Sequence, residues 1–130
     1  MIKKLLYIAA VPIALLLVLA GCGSQPEDFE TFYKRFTTDE DFQLSRIEFP
    51  LAGCETDNDT TIFWNSPEDW AFLSEPSADL DTTIFRIERE VTATYAMVKV
   101  YLEDSGFGST EEYELVKGKW YLRSYDSMSN

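Results

Sequence analysis

Cys22 is the residue most clearly placed for chemistry. It closes the run Leu19-Ala20-Gly21-Cys22, in which two small residues precede a thiol. The run follows a basic start at Lys3 and Lys4 and an apolar stretch from Leu5 to Ala20. That order is a signal peptide ending in a lipobox: the thiol is alkylated with diacylglycerol, a peptidase accepts the small residues before it, and the mature chain begins at lipidated Cys22. A membrane-spanning helix needs roughly 20 apolar residues, whereas this stretch is shorter, carries Pro12 at its centre and ends in small residues. A single acyl chain binds a membrane marginally and two or more hold it stably. A diacyl or triacyl Cys22, with palmitate among its chains, is therefore a permanent anchor. The expected location is the bacterial cell envelope, with the membrane as a partner through Cys22.

Other chemistries find fewer residues. With Cys22 lipidated, Cys54 is the only thiol left and no intramolecular disulfide forms. Leu51-Ala52-Gly53-Cys54 repeats the lipobox letters but follows no apolar run. A nucleophilic Cys54 wants a histidine base and the chain has no histidine, so Cys54 reads as a buried or half-buried structural residue. The same lack of histidine leaves zinc without a ligand set. Asp57, Asp59, Thr61, Asn65 and Glu68 match the ligand spacing of a calcium loop, yet Ile62 stands where the sharp turn requires glycine. Gly106-Phe107-Gly108 lacks the Gly-Lys-Ser/Thr that would complete a phosphate cradle. No metal and no cofactor is expected.

Charge narrows the partners. The whole chain carries a formal charge of −12, and loss of Lys3 and Lys4 with the leader takes residues 22–130 to −14. Phosphate backbones are bound through basic patches that release counterions, so nucleic acid is excluded. The length divides into a leader at 1–21, a lipidated tether at 22–27, broken by Pro26, and one domain at 28–130.

The elements of that domain are legible in its periodicity. Phe29, Phe32, Tyr33 and Phe36 recur at helical spacing, which places four aromatics on one stripe. Thr37-Thr38-Asp39 ends this helix or caps a second short one at Glu40 to Phe42. Ile47 to Leu51 alternates as a strand in which Pro50 implies an edge or an end. Thr61 to Trp64 is a brief strand, and Ser66-Pro67 starts a short helix that stops before Pro76. Asp59-Thr-Thr-Ile-Phe63 recurs as Asp81-Thr-Thr-Ile-Phe85, read as the same strand composition arising twice, since a solenoid needs at least three copies. Thr83 to Val91, Thr94 to Glu103, Glu111 to Val116 and Trp120 to Tyr125 are strands, the last two joined by a hairpin at Lys117-Gly118-Lys119. Helices first and then a mostly antiparallel sheet make an α+β fold with helices packed on one sheet face.

Phe29, Phe32, Phe36 and Asp39, followed by Phe42-Gln43 and Arg46-Ile47-Glu48-Phe49-Pro50-Leu51, resemble a Bacteroidetes lipoprotein family of unknown function. The resemblance implies the nuclear-transport-factor-2-like, or cystatin-like, cone of helices wrapped by a curved sheet. It brings no assigned activity and hence no catalytic residues. Glu27 and Asp28, acids close behind the lipidated cysteine, resemble the short surface-export signals of such lipoproteins and equally suit the first turn of a helix. The outer membrane, with exposure at the surface, is the location this implies.

Two readings of function follow. The first is a non-enzymatic binding or interaction module, its occupant a second copy, an envelope protein or a small molecule of unknown class. If Ala96, Val98, Val100 and Leu102 face the helices, then Tyr95, Met97 and Tyr101 lie opposite, joined by Tyr121 and Tyr125 beside Arg123, as an interface or as tyrosines that simply suit strands. The alternative is a small acid–base hydrolase or isomerase using an Asp/Tyr pair inside the cone.

Overall fold

The structure, a computed structural model, describes residues 25–76 and 80–129. The expected leader at 1–21 and residues 22–24 of the expected tether, Cys22 among them, lie outside the described residues. The aromatic stripe does form a helix, α1 (Phe29–Phe36), because Asp28 stops the extended chain and accepts a hydrogen bond from the Thr31 amide at 3.0 Å. Such a cap is worth about 1 kcal/mol. Thr37 closes α1, and Asp39 caps α2 (Glu40–Ser45) through the Phe42 amide at 3.1 Å. The Thr37-Thr38-Asp39 link thus serves both ends.

Six strands follow: β1 (Ile47–Asp57), β2 (Thr60–Trp64), β3 (Phe85–Val91), β4 (Tyr95–Leu102), β5 (Gly108–Val116) and β6 (Lys119–Ser129). They form one sheet in the order β2-β1-β6-β5-β4-β3, antiparallel throughout except that β1 and β6 run parallel. Lys117 and Gly118 both adopt positive φ, 51° and 81°, the two-residue turn whose twist matches antiparallel strands.

The helices cover one face of the sheet, and the aromatic stripe meets it at Tyr113. That ring lies edge-on to Phe29, Phe32, Tyr33 and Phe36 at 5.3 to 6.0 Å. Phe36 and Tyr113 are fully buried, with Trp120, Leu122, Ala96 and Val98 beneath them. Such aromatic pairs add about 0.5–1.5 kcal/mol each beyond area burial. Glu27 anchors the segment entering α1: its carboxylate pairs with Arg46 at 2.6 and 2.9 Å and accepts the Trp120 amide at 2.9 Å. The Arg46 guanidinium beside Glu27 holds that carboxyl below its ordinary value, against the opposing pull of burial.

Three local expectations change. Pro50 lies within β1, an interior strand rather than an edge. It is tolerated because β1 breaks register with β6 between Ile47 and Ala52, so the missing N–H falls outside the paired residues. The helix expected after Ser66 is a single 3-10 turn, Pro67–Asp69. The second Asp-Thr-Thr-Ile-Phe is a turn and not a strand. Asp81 accepts hydrogen bonds from the amide and hydroxyl of Thr83, and pairing starts only at Phe85.

Candidate functional site

The strand alternation of β5 divides its acids between the two faces. Ala96 pairs with Tyr113 and Val98 with Glu111, so Glu111 points to the helix side with Tyr113. There it is 2 % exposed. Its Oε1 accepts a hydrogen bond from the Tyr113 hydroxyl at 2.6 Å and from the Tyr33 hydroxyl at 3.4 Å. Burial pushes the Glu111 carboxyl up to about 7, against the two phenol donors and the more distant Arg89 charge, which pull it down. Burial likewise raises the phenols of Tyr33 and Tyr113. Arg89 stands at the rim, 5.3 Å above the Tyr33 ring and paired with Glu30 at 3.0 Å.

Beside this cluster lies a cavity of about 110 Å³ lined by Tyr33, Glu75, Pro76, Ile87, Arg89 and Val98. Glu111 itself does not line it. Of the two hydroxyls that donate to this raised carboxyl, Tyr33 alone lines the cavity. The cluster is a carboxylate with tyrosines, as the alternative reading requires, but the acid is a glutamate and the surrounding space is filled by rings.

The opposite face is a grid. Lys99, Thr110 and Asp126 stand in one cross-strand row over β4, β5 and β6, and Tyr101, Gly108 and Met128 in the next. Thr56 of β1 extends the second row beside Met128. These residues, with Cys54, bound a groove of about 220 Å³. Gly108 is its floor: a Cβ there would come within 2.8 Å of the Tyr101 Cβ, so the tyrosine lies against bare backbone.

The tyrosines of this face are tied to charges. Tyr95 donates to Glu112 at 3.0 Å, and Tyr101 donates to Glu88 at 2.9 Å. The Lys99 ammonium sits 4.9 Å above the Tyr101 ring and the Arg123 guanidinium 5.5 Å above Tyr121. Met97 lies between Glu90 and Glu112 in its row.

Of the five residues expected together on this face, Tyr95, Met97, Tyr101 and Tyr121 stand there and Tyr125 does not. Strand β6 bulges at Arg123: Tyr113 pairs with Leu122 but Glu112 pairs with Ser124, leaving one residue unopposed. The inserted residue inverts the alternation beyond it. Tyr125 therefore turns to the helix side and packs against Trp64 and Trp70 at 5.7 and 5.4 Å. Cys54 is a half-buried free thiol in β1 whose amide donates to Asp126. Asp57 ends β1, Asp59 lies in the β1–β2 turn, Thr61 in β2, Asn65 just beyond it and Glu68 in the 3-10 turn. Glu111 escaped the sequence reading. Its signal was phase, an acid at the inward position of a strand whose next inward residues are Tyr113 and Leu115.

A family model, described simply as "-like", matches residues 27–130. No curated protein matches the chain. Among solved structures, a protein from Bacteroides uniformis determined by NMR is 25% identical with a TM-score of 0.57, the alignment covering 78% of this chain and 76% of that one. An NTF2-like protein from Bacteroides fragilis is 21% identical with a TM-score of 0.51, covering 81% of this chain and 48% of that one. The described chain spans about half the length of the latter.

Proposed function

This chain belongs to the family whose model spans residues 27–130 and has an NTF2-like fold; on that premise we propose that it is a binding module, not an enzyme, held to the bacterial envelope by lipid on Cys22. In this reading the sheet curls around α1 and α2 as a cone whose inside is filled by aromatic rings, and the ligand is taken on the other face. The observation that carries it is the groove of about 220 Å³ over Gly108. Lys99 and Asp126 bring opposite charges to one side of it, Thr56 and Thr110 bring hydroxyls, and Tyr101 and Met128 bring apolar walls. A small molecule with no net charge, hydrogen-bonding groups along one edge and one flat apolar side fits that lining.

Two measurements test the two halves of the proposal. Cys22→Ser leaves unprocessed precursor without labelled palmitate, while Cys54→Ser leaves labelling intact; label on the Cys22→Ser chain defeats the anchor. A panel of neutral polar fragments screened by saturation-transfer NMR yields ligands that Thr110→Trp, which fills the groove, no longer binds. Fragments indifferent to Thr110→Trp place binding elsewhere.

A second reading is favoured by one contact, the 2.6 Å hydrogen bond between Tyr113 and Glu111. Here Glu111 acts as the acid–base group of a small hydrolase or isomerase through Tyr33, with substrate in the 110 Å³ cavity. It requires a turnover that Glu111→Gln abolishes and that Thr110→Trp leaves intact.

A further inference from the structure

Strand β3 ends the sheet among the described residues, and every position from Arg86 to Val91 is exposed. A regular edge strand of seven residues offers unpaired backbone groups to another strand. It carries neither proline nor a register break against β4. Its sequence, Phe85-Arg86-Ile87-Glu88-Arg89-Glu90-Val91, is close to self-complementary when read antiparallel about Glu88. In that register Arg86 of one copy lies opposite Glu90 of the other, twice, and Phe85 lies opposite Val91, twice. Both are favourable cross-strand pairs, since opposite charges and aromatic–β-branched contacts each stabilise a ladder.

We propose that β3 is the contact between two copies of this chain, pairing antiparallel with itself about Glu88 to join two sheets into one. A two-fold axis normal to the sheet keeps each face continuous, so Arg86, Glu88 and Glu90 remain on the groove face in both copies. The contact is isologous, the commonest way for identical chains to pair. Its one unfavourable meeting is Glu88 against Glu88. Each of these acids is already held by its own subunit: Tyr101 donates to it at 2.9 Å, and Lys99 is its directly opposed neighbour on β4. Arg86 is available to a partner because its present contacts lie at the surface: the bond to Glu103, 3.0 Å, is between side chains 44% and 58% exposed, the kind of pair worth little on its own, and the bond to the Thr82 carbonyl, 3.1 Å, is exposed too. On the helix side the pairing brings the exposed apolar residues Val91, 47% exposed, and Ile87, 44% exposed, toward the partner's Phe85 and the aliphatic stem of its Arg89. Arg89 itself pairs with Glu30 at 3.0 Å, an exposed contact of the same kind as Arg86 with Glu103.

The register predicts a pattern of cross-links. Residues directly opposed in an antiparallel pair have Cα atoms about 4.5–5.5 Å apart, within the reach of a disulfide. Only the residue on the axis meets its own copy. In intact cells expressing the full chain with Cys54→Ser, Glu88→Cys forms a disulfide-linked dimer under mild oxidation, read on a non-reducing gel. Glu90→Cys and Met97→Cys remain monomeric. Independently, Arg86→Glu lowers the yield of the Glu88→Cys cross-link about tenfold, the effect of turning two attractive pairs into two repulsive ones. Adding Glu90→Arg to Arg86→Glu restores it. Absence of the Glu88→Cys dimer, equal cross-linking at Met97→Cys, or failure of the charge swap to restore it overturns the proposal. A cooperative melt of Arg86→Glu matching that of the parent at a concentration where both are monomeric shows that the loss is one of association and not of folding.

Discussion

Glu111 and Glu112 are adjacent in β5, and each accepts a hydrogen bond from a tyrosine hydroxyl, yet they occupy opposite worlds. Glu111 lies under α1 among rings, 2 % exposed, and burial raises its carboxyl to about 7. Glu112 lies on the open face, shared between Tyr95 and Ser124 at 3.0 and 2.7 Å. The same side chain with the same donor is thus a proton holder on one face and a rung of a polar ladder on the other. The pleat alone sorts them. Burial, and not the identity of the partner, sets the chemistry of a carboxylate.

The comparison breaks most severely if the helix side is emptied. Phe36→Ala removes a fully buried ring that packs on Tyr113 and costs about 3–5 kcal/mol, measured by urea unfolding. A loss under about 1 kcal/mol, the scale of ordinary substitutions, would mean that α1 does not seal the Glu111 side.

Next in size is the pH dependence of Glu111. Its folded value of about 7 stands above its ordinary value of 4.5, so the folded chain binds the extra proton. This contribution to stability is complete below pH 4.5 and is lost as pH rises through about 7, roughly 3 kcal/mol in all. Tyr113 and Tyr33 as donors, Arg89 as a cation and Tyr125 as the opposed residue on β6 are the groups that face it. Glu111→Gln keeps a hydrogen-bonding side chain without the titration. Its stability is expected to exceed that of the parent at pH 8 and to match it more closely at pH 4.5, by denaturant unfolding at the two values. Equal profiles for the parent and Glu111→Gln would place Glu111 in water.

The smallest effect sharpens the other half. Tyr95→Phe deletes the hydroxyl that Glu112 accepts on the open face, where solvent replaces it, and shifts stability by less than about 0.5 kcal/mol. A thermal melt lowered as far as by Phe36→Ala would mean that the open face is part of the core.

Sequence by itself determined whatever depends on neighbours along the chain. The stripe Phe29, Phe32, Tyr33 and Phe36 specified α1 and its inward face, because helical spacing places those rings together wherever the helix packs. Thr37 to Asp39 specified the break between the helices, and Lys117-Gly118 specified the terminal hairpin, each through local backbone preference. The alternation of β4 sorted Ala96 and Val98 from Tyr95 and Met97 for the same reason. The tertiary structure alone decided what depends on pairing between distant strands. The bulge at Arg123 turned Tyr125 from the open face into the core, which no periodicity within β6 foretells, since the extra residue is defined only against β5. Pro50 could enter an interior strand because register slips beside it, and the repeated Asp-Thr-Thr-Ile-Phe became strand once and turn once because only the first copy found a partner strand along its length. Glu111 is the clearest case: its residue type argues for solvent, its phase in β5 for the interior. The weight of four aromatic rings from α1 settled the matter, because covering the sheet there buries far more apolar area than one carboxyl costs once it is protonated and hydrogen-bonded.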